Sequence, residues 1–211
     1  VADCRGDYVF PERILTLTDR VSQRYNVRVR QLNMKRLEED VVTITRLANE
    51  SISDNWGFYP VTDEEARTMA RDLRQIVDPK AILIAEEAGG RPIGFAMTLP
   101  DINFILKGLN GRLLPFGFLK MLFQLPRVRQ YRMWALGVIP EYQGRAIDTL
   151  LYRATYEAIY SDKTYMEINY VLEDNDRMNN ALIKLGVKPL RRYRVYEMPV
   201  EPPAGLLTSV A

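Results

Sequence analysis

The chain has 211 residues, 47% of them hydrophobic and 27% charged, which suits a sizeable folded core and excludes a disordered chain. With 29 Lys plus Arg against 27 Asp plus Glu, the net charge of +2 argues against a dedicated nucleic-acid binder. One cysteine, Cys4, and no histidine exclude a disulfide framework, Cys-rich zinc, Ser-His-Asp or Cys-His machinery and any imidazole base, and leave acid–base chemistry to carboxylates, tyrosines, lysines, water or substrate. Residues 1–25 read as an irregular lead-in with one short helix at about Ile14–Tyr25. Val27–Leu32 alternates as a half-buried strand does. After Asn33, the spacing of Leu37, Val41, Ile44, Leu47 and Ile52 predicts a helix ending near Ser53. Thr62-Asp63-Glu64-Glu65 is a capping-box start for a second helix, to about Ile76. Ala81–Glu87 and Pro92–Leu99 form a hairpin around Ala88-Gly89-Gly90-Arg91.

An apolar insert, 101–127, carries two short helical pieces around Asn110-Gly111 and Pro115. Tyr131–Pro140 is a strand, Ala146–Tyr160 a helix, Met166–Leu172 a strand, Asn175–Leu185 a helix and Leu190–Met198 a last strand, ahead of a loose tail at 201–211. This order implies one mixed α/β domain (α+β, mixed sheet) over residues 26–200 rather than a doubly wound parallel fold. The stretch Ile102–Leu125 is broken by Lys107, Asn110, Arg112 and Lys120 and is not a spanning helix. The start is polar, so a reduced, cytoplasmic protein is expected. Val1 in place of Met suggests that a longer chain was trimmed.

Chemistry concentrates in Leu136-Gly137-Val138-Ile139-Pro140-Glu141-Tyr142-Gln143-Gly144-Arg145-Ala146-Ile147-Asp148, where a strand ends and a helix opens. The first N–H groups of such a helix are unpaired and its dipole adds positive potential, so a phosphate fits there. Arg145 adds a cation. The alternative is an ordinary strand-to-helix turn.

This run resembles motif A of the GNAT superfamily of acyl-CoA-dependent N-acyltransferases, in which V-x-P leads to Q/R-x-x-G-x-G/A and backbone amides cradle the CoA pyrophosphate. Gln143 matches the first position, Ala146 stands where Gly is usual, and Asp148 where Gly or Ala is usual. The extra methyl at Ala146 is tolerable if the residue keeps helical φ/ψ. Asn175, Met178, Ala181, Gly186 and Val187 resemble motif B, whose Asn contacts the pantetheine arm; Leu182 stands where a Tyr often protonates the CoA thiolate. Asn55-Trp56-Gly57-Phe58-Tyr59-Pro60, Leu99–Asn103, Leu109–Arg112 and Leu172–Asn175 further resemble an uncharacterised bacterial YghO-like group.

The resemblance implies a GNAT-like fold, acetyl-CoA or another acyl-CoA as co-substrate, no metal, and an amine acceptor that is a small molecule or a protein. It places the cofactor on Leu136, Val138, Gln143, Gly144, Arg145, Ala146, Ile147, Asp148 and Asn175, with strand N–H groups near the thioester oxygen. Catalytic candidates are Glu167 and Glu173 as base and Tyr170, Tyr193 or Tyr196 as acid, unless the thiolate leaves unassisted; Glu167 reads better as a solvated strand residue than as a base, and Glu173 equally as a helix cap. Leu182 reads as core. Trp56, Phe58, Asp101 and Asn103 form a candidate acceptor pocket, or else the aromatics anchor a loop and Asn103 caps a helix. The insert fits a lid or packed core piece best, with a dimer face and a membrane-surface patch as alternatives. The competing functional reading is a GNAT-fold ligand-binding or dimerisation module that has lost transfer chemistry.

Overall fold

A computed structural model describes residues 2–4, 8–109, 116–161 and 164–198, the first three by backbone alone. β1 (Ala2–Cys4) and α1 (Glu12–Tyr25) come first, followed by β2 (Arg28–Gln31), α2 (Leu37–Ser51) and α3 (Asp63–Leu73). The hairpin of β3 (Ile82–Glu86) and β4 (Pro92–Pro100) leads to two short helices, α4 (Asn103–Lys107) and α5 (Gly117–Gln124). Then come β5 (Gln130–Val138), α6 (Ile147–Ile159), β6 (Tyr165–Ile168), α7 (Asp176–Lys184) and β7 (Lys188–Pro189).

Capping side chains set the starts of α2 and α3. Asn33 accepts the Lys35 N–H in a 3-10 turn at 34–36, and Glu38, Glu39 and Asp40 then lie in the positive first turn of α2. Thr62 and Glu65 form the reciprocal capping box of α3. That helix stops at Leu73 because residues 74–77 wind into a turn ahead of Pro79.

Among the described residues the sheet has the order β2-β3-β4-β5-β6-β1-β7. Every pairing is antiparallel except β5 with β6, which is parallel. α2 and α6 cover opposite faces. A Cβ added at Gly94 would meet Leu151 of α6, whereas the next residue, Phe95, faces Gly137 and the end of α2. The main core joins α2, α3, β3, β4 and α6; a second cluster of Phe10, Ile14, Met133, Tyr152, Ile168, Leu182, Leu185 and Val187 lies under β6 and α7.

The helix expected at about Ile14–Tyr25 is α1, which starts two residues earlier, at Glu12, but what precedes it is not all irregular: Ala2–Cys4 form a strand. β1 pairs with β6 from Ala2↔Ile168 to Cys4↔Met166, so it takes the edge of β6 that a C-terminal strand would otherwise use. Accordingly Leu190–Met198 is not a strand; only Lys188–Pro189 pairs, with β1, and Tyr193, Val195, Tyr196 and Met198 are exposed. The strand expected at Met166–Leu172 ends at Ile168. The helical pieces around Asn110-Gly111 and Pro115 and the tail at 201–211 lie outside the described residues, among which no helix is long and apolar enough to cross a membrane.

Candidate functional site

The parallel pairing of β5 with β6 runs from Gln130↔Tyr165 to Met133↔Ile168, closed by a hydrogen bond from the Asn169 N–H to the Met133 carbonyl (3.2 Å). β6 then ends, while β5 continues to Val138 against β4 on its other side. Among the described residues, the last ones of β5 therefore have one paired edge and one without a strand neighbour, and alternate backbone groups there open into a wedge. A bulge lies at its base: Met97 pairs with Ala135 and Thr98 with Met133, leaving Trp134 extra and 63% exposed. Beyond β6, Tyr170 has φ +52, a left-handed conformation unusual for an aromatic residue, and is exposed at the mouth of the wedge. The Leu136 side chain packs on both core clusters and that of Val138 is buried in the main one, so both residues line the wedge with backbone.

At the far end of β5 the chain makes its turn into α6. The Ile139 N–H bonds Ile93 O, residues 140–142 form a 3-10 turn, and Gly144 takes φ +75 with open space where a Cβ would stand. Ala146 caps α6 at φ +60 and ψ +24. The condition for tolerating the extra methyl, helical φ/ψ, is thus not met: the site is left-handed, where Gly is at ease and a methyl costs about 1–2 kcal/mol. Ile147 is buried, and only its backbone is available at the turn. Gln143 Nε2 donates to Val138 O (3.0 Å), and its Oε1 accepts from Arg177 Nη1 (2.5 Å). Arg177, at the positive end of α7, was not among the expected residues. A cation in that position opposes the helix dipole, which is a signal that it serves something outside the helix. The Arg145 guanidinium lies over the rings of Tyr142 (4.7 Å) and Tyr25 (5.5 Å), so it is positioned by aromatic faces.

Asp148 occupies the first turn of α6 and accepts from its own N–H and that of Thr149. Burial pushes its carboxyl above the ordinary range against those bonds and the charge of Lys184. It competes for N–H groups that an anion would use, yet open Gly144 and the remaining first-turn amides fit a phosphate group.

The other expected residues divide. Asn175 spends its side-chain oxygen capping α7 through the Met178 N–H (3.1 Å). Glu173 pairs with Arg194 (3.1 Å) and Arg192 (3.4 Å). Glu167 accepts from Tyr165 OH (3.1 Å) and pairs with Arg132 (3.4 Å), within the closed part of the β5–β6 ladder. Leu182 is buried in the cluster with Met133 and Ile168. Asp101 bonds Arg132 Nε (3.0 Å) and both the N–H and Nδ2 of Asn103, so this pair starts α4.

The acceptor set does not converge. α2 ends against Gly137, which puts the loop with Trp56 and Phe58 at the wedge end of β5; Asp101 adjoins Pro100, paired with Tyr131 at the opposite end. Six residues of strand separate these points, roughly 20 Å. Trp56 is 74% exposed and anchors nothing, while Asn49 holds the loop through both the N–H and carbonyl of Val61. Among the described residues of the insert only Ile105 and Met121 are buried, so those do not form a packed core piece. Among the described residues no cluster of three potential metal ligands forms.

No protein-family model matches the chain. Protein YghO of Escherichia coli K12 is 36% identical over 203 residues, covering 93% of this chain and 51% of that protein. A bacterial ceramide synthase of Caulobacter vibrioides is 35% identical over 176 residues, covering 80% and 46%. The chain thus spans about half the length of the curated relatives it matches. Among solved structures, the aminoglycoside N-acetyltransferase AAC(6')-Iy in complex with CoA superposes with a TM-score of 0.52 at 18% identity, covering 82% of this chain and 95% of that one. The chain has the GNAT acetyltransferase fold and resembles the bacterial YghO-like group.

Proposed function

We propose that this chain is an acyl-CoA-dependent N-acyltransferase. The observation that carries the reading is the wedge between β5 and β6, with the Gln143–Asp148 turn at its end. The turn offers amides for the CoA phosphates, with Arg177 alongside, and the unpaired edge of β5 offers N–H groups to the thioester oxygen. A neutral amine attacks the thioester carbon, the C–S bond breaks, the ammonium loses a proton and the CoA thiolate gains one. Both carboxylates pair with arginines, but the Glu173 side chain is 60% exposed against 21% for Glu167, so its ion pairs exchange more readily with water, which favours Glu173 as proton acceptor and the exposed Tyr170 as donor.

Ceramide is an amide of a long-chain amine, so a relative named ceramide synthase supports a long-chain amine acceptor and a long-chain acyl-CoA. Acetyl-CoA is the simpler donor. The second reading, a binding module without transfer chemistry, is favoured by the left-handed Ala146, the Asp148 carboxylate in the turn and Leu182 in the core.

Calorimetric titration with acetyl-CoA and palmitoyl-CoA, beside 3′-dephospho-CoA, tests both. Saturable binding lost in Gly144→Glu, with amide formation on a panel of short and long amines that drops in Tyr170→Phe, supports the enzyme. Binding without turnover supports the module, and no binding of any CoA removes the enzyme and leaves the module.

A further inference from the structure

We propose that α4 and α5 form a docking surface for an anionic lipid bilayer. The side chains of Phe104, Leu106, Phe116, Leu119, Leu122 and Phe123 are 40–76% exposed. At 100° per residue, Phe116, Leu119, Leu122 and Phe123 fall within about 120° of arc, centred nearly opposite the buried Met121. The helix therefore turns one apolar side to the core and a second, aromatic one to solvent. Isolated exposed apolar residues are ordinary, but three phenylalanines on adjoining short helices are a patch.

Charge decides the occupant. From Ile102 to Met133 the sequence carries Lys107, Arg112, Lys120, Arg127, Arg129 and Arg132 and no Asp or Glu. Arg132 is engaged by Asp101 and Glu167; Lys107, Lys120, Arg127 and Arg129 are exposed on and beside the two helices, Lys120 donating to the Gly108 carbonyl and Arg129 to those of Pro126 and Val128, with no carboxylate against them in this stretch of sequence. In a chain whose net charge is only +2, this is a local excess. A second copy docked by two-fold symmetry would set these cations against one another. An anionic bilayer offers acyl chains for the phenylalanines and headgroup charge for the lysines and arginines. α4 follows Pro100 and α5 precedes Gln130, so the patch sits at the end of the sheet away from the phosphate turn and leaves that turn open to water. The inference rests on this surface and not on the catalytic reading.

The test is sedimentation of the full chain with vesicles of phosphatidylcholine alone and of phosphatidylcholine mixed with phosphatidylglycerol. Binding to the mixed vesicles, weakened by high salt and far stronger than to phosphatidylcholine, is expected. The double variant Phe116→Ser, Phe123→Ser should weaken it by at least about tenfold. Lys107→Glu with Arg127→Glu should do so by a similar factor through charge. Because all four side chains are exposed, melting temperatures should hold, which separates lost docking from lost fold. Absence of sedimentation with either vesicle overturns the proposal, as does salt-independent binding to both. A concentration-dependent dimer that the phenylalanine variants dissolve, without vesicle binding, would assign the face to a second copy instead. CoA titration of the same samples reports independently on the acyltransferase reading.

Discussion

Ala146 and Asp148 differ from their motif in opposite ways. Ala146 adds a methyl at a left-handed cap. Ala146→Gly should therefore stabilise the fold by about 0.5–1 kcal/mol, the relief of strain less the extra entropy of an unfolded glycine, as read by chemical denaturation. Asp148 adds a charge. Its folded carboxyl is raised above its ordinary value of 3.8, chiefly by burial, so the native state holds the proton more tightly than the unfolded chain. Stability from this group is greatest in acid and is lost as pH rises from the ordinary value through the raised one. Asp148→Asn should raise the melting temperature at neutral pH, with the gain shrinking as pH falls through the carboxyl range. It should also tighten CoA binding by about 1 kcal/mol, roughly fivefold, through one less negative charge near the phosphates. Gln143, Gly144 and Arg145 were legible in the sequence because a motif fixes spacing along the chain. That Arg145 is held by Tyr25 and Tyr142, and that Arg177 reaches Gln143, was not, since those partners come from distant segments.

Helices and strands were legible where a local cause exists. The Thr62 box, the Asn33 turn and the β3–β4 hairpin all appear where capping and turn residues place them. How the elements meet depends on side chains the sequence presents without comment. Gly137 lets the end of α2 approach β5: a Cβ there would collide with Ser51 Oγ and come within 2.8 Å of Phe95 Cε1. Ser51 can rotate but loses its bond to Leu47 O, and Phe95 is fully buried. Gly137→Ala should cost about 1–3 kcal/mol and disturb the wedge, visible as weaker CoA binding in calorimetry. The Asp40 carboxylate of α2, 2% exposed, receives Arg30 Nη1 and Nη2 at 2.9 and 2.8 Å, while Arg30 Nε donates to Glu86 of β3. Burial pushes the Asp40 carboxyl up, but the Arg30 and Asn33 bonds outweigh it and hold it below the ordinary range. This stability is present above the unfolded pKa and lost in acid. Asp40→Asn should cost about 3 kcal/mol at neutral pH, less in acid, since it leaves Arg30 half-matched.

β1 joins the ends of the molecule, bonding β6 on one edge and β7 on the other. Asp3, paired with Glu167 and Lys188, contributes backbone to the sheet interior, so Asp3→Pro should cost about 3 kcal/mol and loosen β6, read by hydrogen exchange at Met166–Ile168. Periodicity cannot reveal such a strand, because three residues carry no pattern and their neighbours lie more than 160 positions away. The same reason misplaced Leu190–Met198, which alternates like a strand but lacks an edge to pair with. It also left Asp101 and Trp56 in one imagined pocket, though β5 holds them at opposite ends. What the sequence by itself determined is the set of locally caused elements, the mixed α/β class and the strand-to-helix turn after Val138, because caps, periods and motifs act within a few residues. Only the tertiary structure decided which strand borders β6, which carboxylates are bound to arginines and which face of the insert meets solvent, because each depends on pairings between segments distant along the chain.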